Sequence, residues 1–275
     1  MKQHLHIQPE EKVIILSSQI VYGQRIEWCG STWRQLKMSF MRSRQYFSYD
    51  PQERLPLMIF FCGGGFTTVD RNVYIPELTW FAKRGYAVAS IGYSVTARTC
   101  FPMQLEDAKL AIRFLKAHAE EYGIDPDRMI VMGESAGGYL CSLVGLTGKN
   151  NRFDTGDYQE YSSAVRGVIP FYPVVNTASL FDNQRKTPLP SDIKNFFNLT
   201  ELIDKDTPPF LIFHGTADST VPVEQSELLY DALTSHGIRA DLYTVEGAEH
   251  ADAHFFQPEI KQLILDFMNS VLGLT

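Results

Sequence analysis

Gly133-Glu134-Ser135-Ala136-Gly137 places a serine between glycines directly after the apolar run Met129-Ile130-Val131-Met132. A strand, a tight turn and a helix from Ala136 would lift the Ser135 hydroxyl clear of a sheet edge as a nucleophile. Small flanking residues suit the strained backbone of such a turn. A nucleophilic serine needs a base and a group to orient that base. Asp218, in His214-Gly215-Thr216-Ala217-Asp218-Ser219-Thr220, follows the apolar run Phe210–Phe213 and can fix the tautomer of a histidine. Asp-Ser also suits an Asx turn or a helix cap.

Two histidines compete for the base. His250 follows strand Ala240–Val245 and Gly247 and can swing over Ser135, whereas His254 sits near the last helix and reads as a capping or surface residue. The other histidines, at 4, 6, 118, 214 and 236, fit surface or supporting positions. Cys62-Gly63-Gly64-Gly65-Phe66 follows a third strand. Acyl transfer builds negative charge on a carbonyl oxygen, and main-chain N–H groups on glycine can approach it closely. Gly64, Gly65 and Ala136 are the expected oxyanion donors, and a plain glycine-rich loop is the alternative.

These residues need a scaffold that ends several strands at one edge. Extended segments are expected at Val13–Tyr22 and Leu36–Tyr46, followed by strand Leu57–Phe61, helix Tyr74–Arg84 and strand Tyr86–Ile91. Helical spacing over Phe101–Tyr122 stops at Gly123. Strand Met129–Met132, a helix through Val144, and strands Val165–Tyr172 and Phe210–Phe213 come next. Helix Val223–Ser235, strand Ala240–Val245 and helix Pro258–Leu272 complete the series. This alternation predicts an α/β fold with a mostly parallel sheet, covered on both faces and binding ligands beyond the strands' carboxyl ends. The chain reads as one domain, 1–275. Its polar stretch 148–205 is expected to be an insertion that partly caps the site, with Phe181, Phe196 and Phe197 either facing inward or tucked into the body. Phe66 is expected beside them as a substrate contact.

Composition narrows the partners. The 275 residues are 44% hydrophobic and 21% charged, with a net charge of −7 and no basic stripe, which argues against nucleic acid. Cys29, Cys62, Cys100 and Cys141 show no metal-type spacing and read as reduced thiols, so neither metal nor cofactor is expected. The N-terminus is polar and its first apolar run, Val13–Leu16, is far shorter than a signal core or a membrane span. A cytoplasmic protein without a membrane partner is the expectation, with a homodimer as the expected form if it self-associates.

The chain resembles the α/β-hydrolase superfamily. Within it, it looks like the esterase/lipase branch that includes hormone-sensitive-lipase-like carboxylesterases and acetyl-xylan or feruloyl esterase-type enzymes. The carriers run from about Leu57 to the end: Gly63-Gly64-Gly65-Phe66, Phe101–Ala108, Tyr122–Arg128, Gly133–Gly138, Pro208–Gly215 and Gly247–His250. The order Ser, Asp, His is that of this superfamily. The resemblance implies a catalytic triad of Ser135, Asp218 and His250, with Gly64, Gly65 and Ala136 as oxyanion donors. It also implies hydrolysis of a small-molecule or oligosaccharide ester. Two departures stand out: Cys62 occupies the place where the family usually has histidine, and no large N-terminal cap precedes Leu57. The second leans toward the smaller carbohydrate-esterase-like members. An amidase or peptidase of kynurenine-formamidase-like type, and a non-catalytic binding protein on the same scaffold, are the alternatives.

Overall fold

The computed structural model describes residues 1–8, 12–26, 32–43, 54–96, 101–176 and 196–274. Phe181, Cys29 and Cys100 lie outside them. One eight-stranded sheet runs in the order β1-β2-β4-β3-β5-β6-β7-β8. Its strands are β1 (Ile14–Ile26), β2 (Trp33–Ser43), β3 (Leu55–Phe61), β4 (Ala87–Ile91), β5 (Ile124–Glu134), β6 (Gly167–Phe171), β7 (Phe210–Gly215) and β8 (Ala240–Val245). β1 and β2 form an antiparallel hairpin that joins the rest through an antiparallel β2–β4 contact. From β4 to β8 every pairing is parallel.

Strands β3, β4 and β6 are buried along their whole length. That burial is why they appear in the sequence as unbroken apolar runs rather than alternating ones. The period of two survives inside them. Leu57, Ile59 and Phe61 join one core, while Met58, Phe60 and Cys62 join the other. The first core lies under helices α2 (Met103–Ala117), α4 (Ala136–Leu146) and α5 (Glu224–Ser235), and the second under α1 (Ile75–Ala82) and α6 (Pro258–Leu272).

Two expectations are corrected and one open alternative is decided. The helix expected over Phe101–Tyr122 is α2 followed by one short turn, α3 (Ala119–Tyr122), with His118 off helical geometry between them and left-handed Gly123 (φ 61°) ending it. The 148–205 stretch is not one insertion, because β6, an inner strand of the sheet, passes through it. Its first part starts at the end of α4, at the amino edge of the sheet, and is fastened to α2. There Arg113 donates to Asp154 (2.9 Å) and Lys109 donates to the Asn150 carbonyl (2.6 Å), both cations fully buried. Burial holds both cations below their ordinary pKa, opposed by Asp154. Finally, Phe196 and Phe197 are tucked into the body. Phe196 packs edge-on against Phe153 at 4.7 Å and its carbonyl accepts the Tyr139 hydroxyl, while Phe197 lies 5.0 Å from Phe101. Both are buried.

Candidate active site

β5 ends at Glu134, and α4 begins one residue beyond Ser135. Ser135 makes the turn alone, at φ 53° and ψ −117°, a conformation costly for a residue with a Cβ. Its N–H donates to the Phe171 carbonyl at 3.0 Å, and its own carbonyl accepts the N–H of Tyr139 at 3.0 Å. The turn requires the backbone to pass within contact of its neighbours. A Cβ on Gly137 would sit 2.0 Å from the Phe61 carbonyl oxygen, and one on Gly133 would sit 2.3 Å from that of Gly137. Only glycine fits at either place.

Two loops bring the partners to Ser135. The Ala217 N–H donates to the Ala248 carbonyl at 3.1 Å, tying the loop after β7 to the loop after β8. Asp218 divides its carboxylate between two tasks. Oδ1 accepts the N–H groups of Thr220 (2.9 Å) and Val221 (2.8 Å), and Oδ2 accepts Nδ1–H of His250 at 2.7 Å. The Asx turn and the histidine partner are therefore one residue. His250 Nε2 then faces Ser135 Oγ at 2.9 Å, so with the proton on Nδ1 it accepts the serine hydroxyl. The Asp218 side chain is fully buried, His250 is mostly buried, and the Tyr172 ring stands edge-on to His250 at 4.6 Å. His254 is a surface residue in the 3₁₀ turn Ala253–Phe256: the cap is Asp252, whose Oδ1 accepts the His254 N–H and lies 2.6 Å from its Nδ1.

A third histidine supports the aspartate loop from below. His214 is fully buried, with Nε2–H on the Val221 carbonyl (2.8 Å) and Nδ1 accepting from Ser226 Oγ (2.7 Å). Burial pushes its pKa below the ordinary histidine value, against the opposing pull of Val221 and Asp218. A base whose folded pKa is depressed resists a proton that the unfolded chain accepts, so stability is full above the ordinary histidine range and falls as pH drops through it. Thermal unfolding from about pH 8 to pH 5 checks this. The stability margin of the wild type over His214→Gln is expected to shrink on the acid side; a margin independent of pH would remove His214 from the account.

The loop after β3 presents three successive left-handed residues, Gly64 (φ 126°), Gly65 (φ 58°) and Phe66 (φ 62°), with both glycines exposed. A Cβ on Gly64 would lie 2.3 Å from the Thr68 carbonyl oxygen. Phe66 is half-buried with its ring edge-on to Tyr139 of α4 at 5.5 Å, which leaves it at the lip of the site. The Ala136 N–H, in the first turn of α4, has no acceptor within the helix. Gly64, Gly65 and Ala136 thus stand on the two turns that flank Ser135.

Glu134, which sequence reasoning passed over, joins those two turns. Its Oε1 accepts the N–H of Gly63 and lies 3.6 Å from the Cys62 thiol, and a Cβ on Gly63 would collide with the same carboxylate. Burial raises the Glu134 pKa, opposed by the Gly63 N–H, the Cys62 thiol and the neighbouring His250 and Tyr172. Burial beside this carboxylate pushes the Cys62 thiol up to about 12, so at the position where the family carries histidine this residue remains a neutral donor. The Tyr93 hydroxyl braces the loop further, donating to the Cys62 carbonyl at 2.6 Å. The signal was available: Ile130, Met132 and Glu134 share one face of β5, so the carboxylate continues a core-facing row and must find donors there. Glu134→Ala is expected to lower kcat for p-nitrophenyl acetate by about tenfold to hundredfold with KM little changed, since the Gly63 N–H loses its acceptor and the loop its fixed position. Unchanged kcat would make Glu134 a packing residue only.

Among the described residues no group of three or more His, Cys, Asp and Glu side chains is placed to hold a metal ion, and no helix is long and apolar enough to cross a membrane.

Comparison with known proteins places this geometry in context. The BD-FAE family profile matches residues 46–233. LipM, a probable carboxylic ester hydrolase of Mycobacterium tuberculosis, is 33% identical over 193 residues, which is 65% of this chain and 44% of that protein. The chain spans about half the length of the curated relatives it matches. The acetyl ester-xyloside bifunctional hydrolase from Caldicellulosiruptor lactoaceticus superimposes with a TM-score of 0.74 at 26% identity, covering 88% of this chain and 90% of that one. Thermogutta terrifontis esterase 2, solved as the form phosphorylated by paraoxon, gives 0.75 at 26% identity, with 98% of both chains covered. With its profile spanning well over half of the residues and its mostly parallel sheet shared with these structures, the chain belongs to the BD-FAE family, on an α/β-hydrolase fold.

Proposed function

We propose that this protein is a serine carboxylesterase that hydrolyses short-chain acyl esters, acetyl or feruloyl groups on carbohydrates among them, through an acyl-enzyme intermediate. The observation that carries the proposal is the unbroken relay from Ser135 Oγ through His250 to Asp218, at 2.9 and 2.7 Å. Ser135 attacks the ester carbonyl as His250 Nε2 takes its proton, and Asp218 Oδ2 stabilises the imidazolium. The oxyanion is received by the N–H groups of Gly64, Gly65 and Ala136. Collapse of the tetrahedral intermediate breaks the bond to the alcohol oxygen, which leaves with the proton held by His250. A water deprotonated by His250 then attacks the acyl-enzyme and releases the acid. No step requires a metal or an organic cofactor.

The named relatives support ester chemistry, and the Caldicellulosiruptor lactoaceticus enzyme supports a carbohydrate alcohol. The test is a hydrolysis panel: p-nitrophenyl acetate, butyrate, octanoate and ferulate, acetylated xylo-oligosaccharides, and an amide matched to one ester. Activity on the short esters and sugar acetates is the expected result. Folded protein that turns over the amide and no ester would overturn the proposal.

A further inference from the structure

We infer that the outward face of the β1–β2 hairpin, centred on Trp33, is a subsite for the glycan chain of the ester substrate; the inference rests on the carbohydrate-ester reading above. The hairpin reaches past the sheet edge at which the site is built. Met38 pairs with Ile91, the last residue of β4, so Trp33–Lys37 stand beyond the carboxyl ends of the parallel strands. There they flank the loop that follows β4. The Gly92 N–H donates to the Lys37 carbonyl at 2.9 Å, and the Arg34 guanidinium donates to Ser94 Oγ. Two residues further on, the Thr96 N–H donates to the Phe66 carbonyl at 2.7 Å, on the oxyanion loop. Hairpin, loop and oxyanion turn are therefore contiguous. With β4 between β2 and β3, the hairpin stands about 10 Å from the oxyanion strand and about 15 Å from the serine strand. An oligosaccharide spans that gap, and a simple aryl ester does not.

The chemistry of the face fits a sugar. The cross-strand pairs Ile26–Trp33 and Gln24–Gln35 share it, while Tyr22 and Leu36 join the core beneath α2. Gln24, Trp33, Arg34, Gln35 and Lys37 line a shallow concavity of about 500 Å³. The Trp33 side chain is 63% exposed, an indole face left in water. A pyranose stacks its C–H face on such a ring, and paired primary amides serve adjacent hydroxyls as donor and acceptor at once. Among the described residues no carboxylate lines the concavity, which accommodates a neutral sugar. The face does not favour a second copy adding a strand, because register irregularities at Ser17/Ile20 and Val21/Gly23 break the regularity of the β1 edge.

The test compares Trp33→Ala and Gln24→Ala/Gln35→Ala with the wild type on acetylated xylo-oligosaccharides and on p-nitrophenyl acetate. Each variant is expected to lose about tenfold in kcat/KM on the oligosaccharide and to keep its rate on the small ester. Equal losses on both substrates, no loss on either, or a change from dimer to monomer that accounts for the effect would overturn the inference. Titration of unacetylated xylo-oligosaccharide into the Ser135→Ala protein, with and without Trp33→Ala, reads the subsite without turnover. Binding that depends on Trp33 sustains the subsite even if no ester is hydrolysed, and absence of binding refutes it even if esters are.

Discussion

Ser135→Ala is expected to lower kcat on every ester in the panel by about 10⁴-fold to 10⁶-fold, and to abolish labelling by a fluorophosphonate. The size follows from position. In the proposed mechanism Ser135 Oγ, 2.9 Å from His250 Nε2, is the atom that bonds to the substrate, and among the described residues no other hydroxyl is hydrogen-bonded to that nitrogen. Without it, the oxyanion loop and binding alone retain only a residual rate. The fold is expected to persist, because the turn is held by backbone hydrogen bonds to Phe171 and Tyr139 that do not involve the hydroxyl. An alanine variant with more than about a hundredth of the wild-type rate would place the nucleophile elsewhere.

Asp218→Asn is expected to lower kcat by about 10⁴-fold at neutral pH, with KM and thermal stability nearly unchanged. The two oxygens of Asp218 dictate the outcome. Oδ1 is held by the N–H groups of Thr220 and Val221, so an asparagine must turn its carbonyl oxygen toward them. Its NH₂ then faces His250 Nδ1, which becomes an acceptor and drives the ring proton onto Nε2. The nitrogen facing Ser135 is left protonated and no longer acts as a base. The pH–rate profile, with burst kinetics to separate acylation from deacylation, checks this. A loss of under about a hundredfold would show that His250 keeps its tautomer without the carboxylate.

The nucleophile turn was legible because steric exclusion writes itself into sequence. Gly133 and Gly137 stand where a Cβ has no room, so the motif is a record of contact distances. The sheet was legible for a related reason: β3, β4 and β6 are buried on both faces and tolerate little besides apolar side chains. The hairpin was less so. Its alternation is blurred by the register irregularities in β1, and both strands extend beyond their expected bounds toward Ile26 and Trp33. The 148–205 stretch misled because its polarity mixes two causes. Asp154 is polar to receive the buried cations of α2, whereas the Asn150 side chain caps a local 3₁₀ turn by accepting the Arg152 N–H, and nothing in the local sequence names partners about 40 residues away. Glu134 was missed for the opposite reason. It lay inside the motif and was treated as spacer, although its place in the strand's alternation turns it into the core.

The tie between Glu134 and Gly63 has a mechanical consequence. The glycine loop hangs from β3 and the Ser135 turn from β5, adjacent strands whose pairing stops at Phe61 and Gly133, before either turn begins. A single buried carboxylate, covalently part of one and hydrogen-bonded to the other, makes them one rigid body. Breathing of the sheet carries the donors and the serine together, so the gap between them stays constant while the surrounding rim moves.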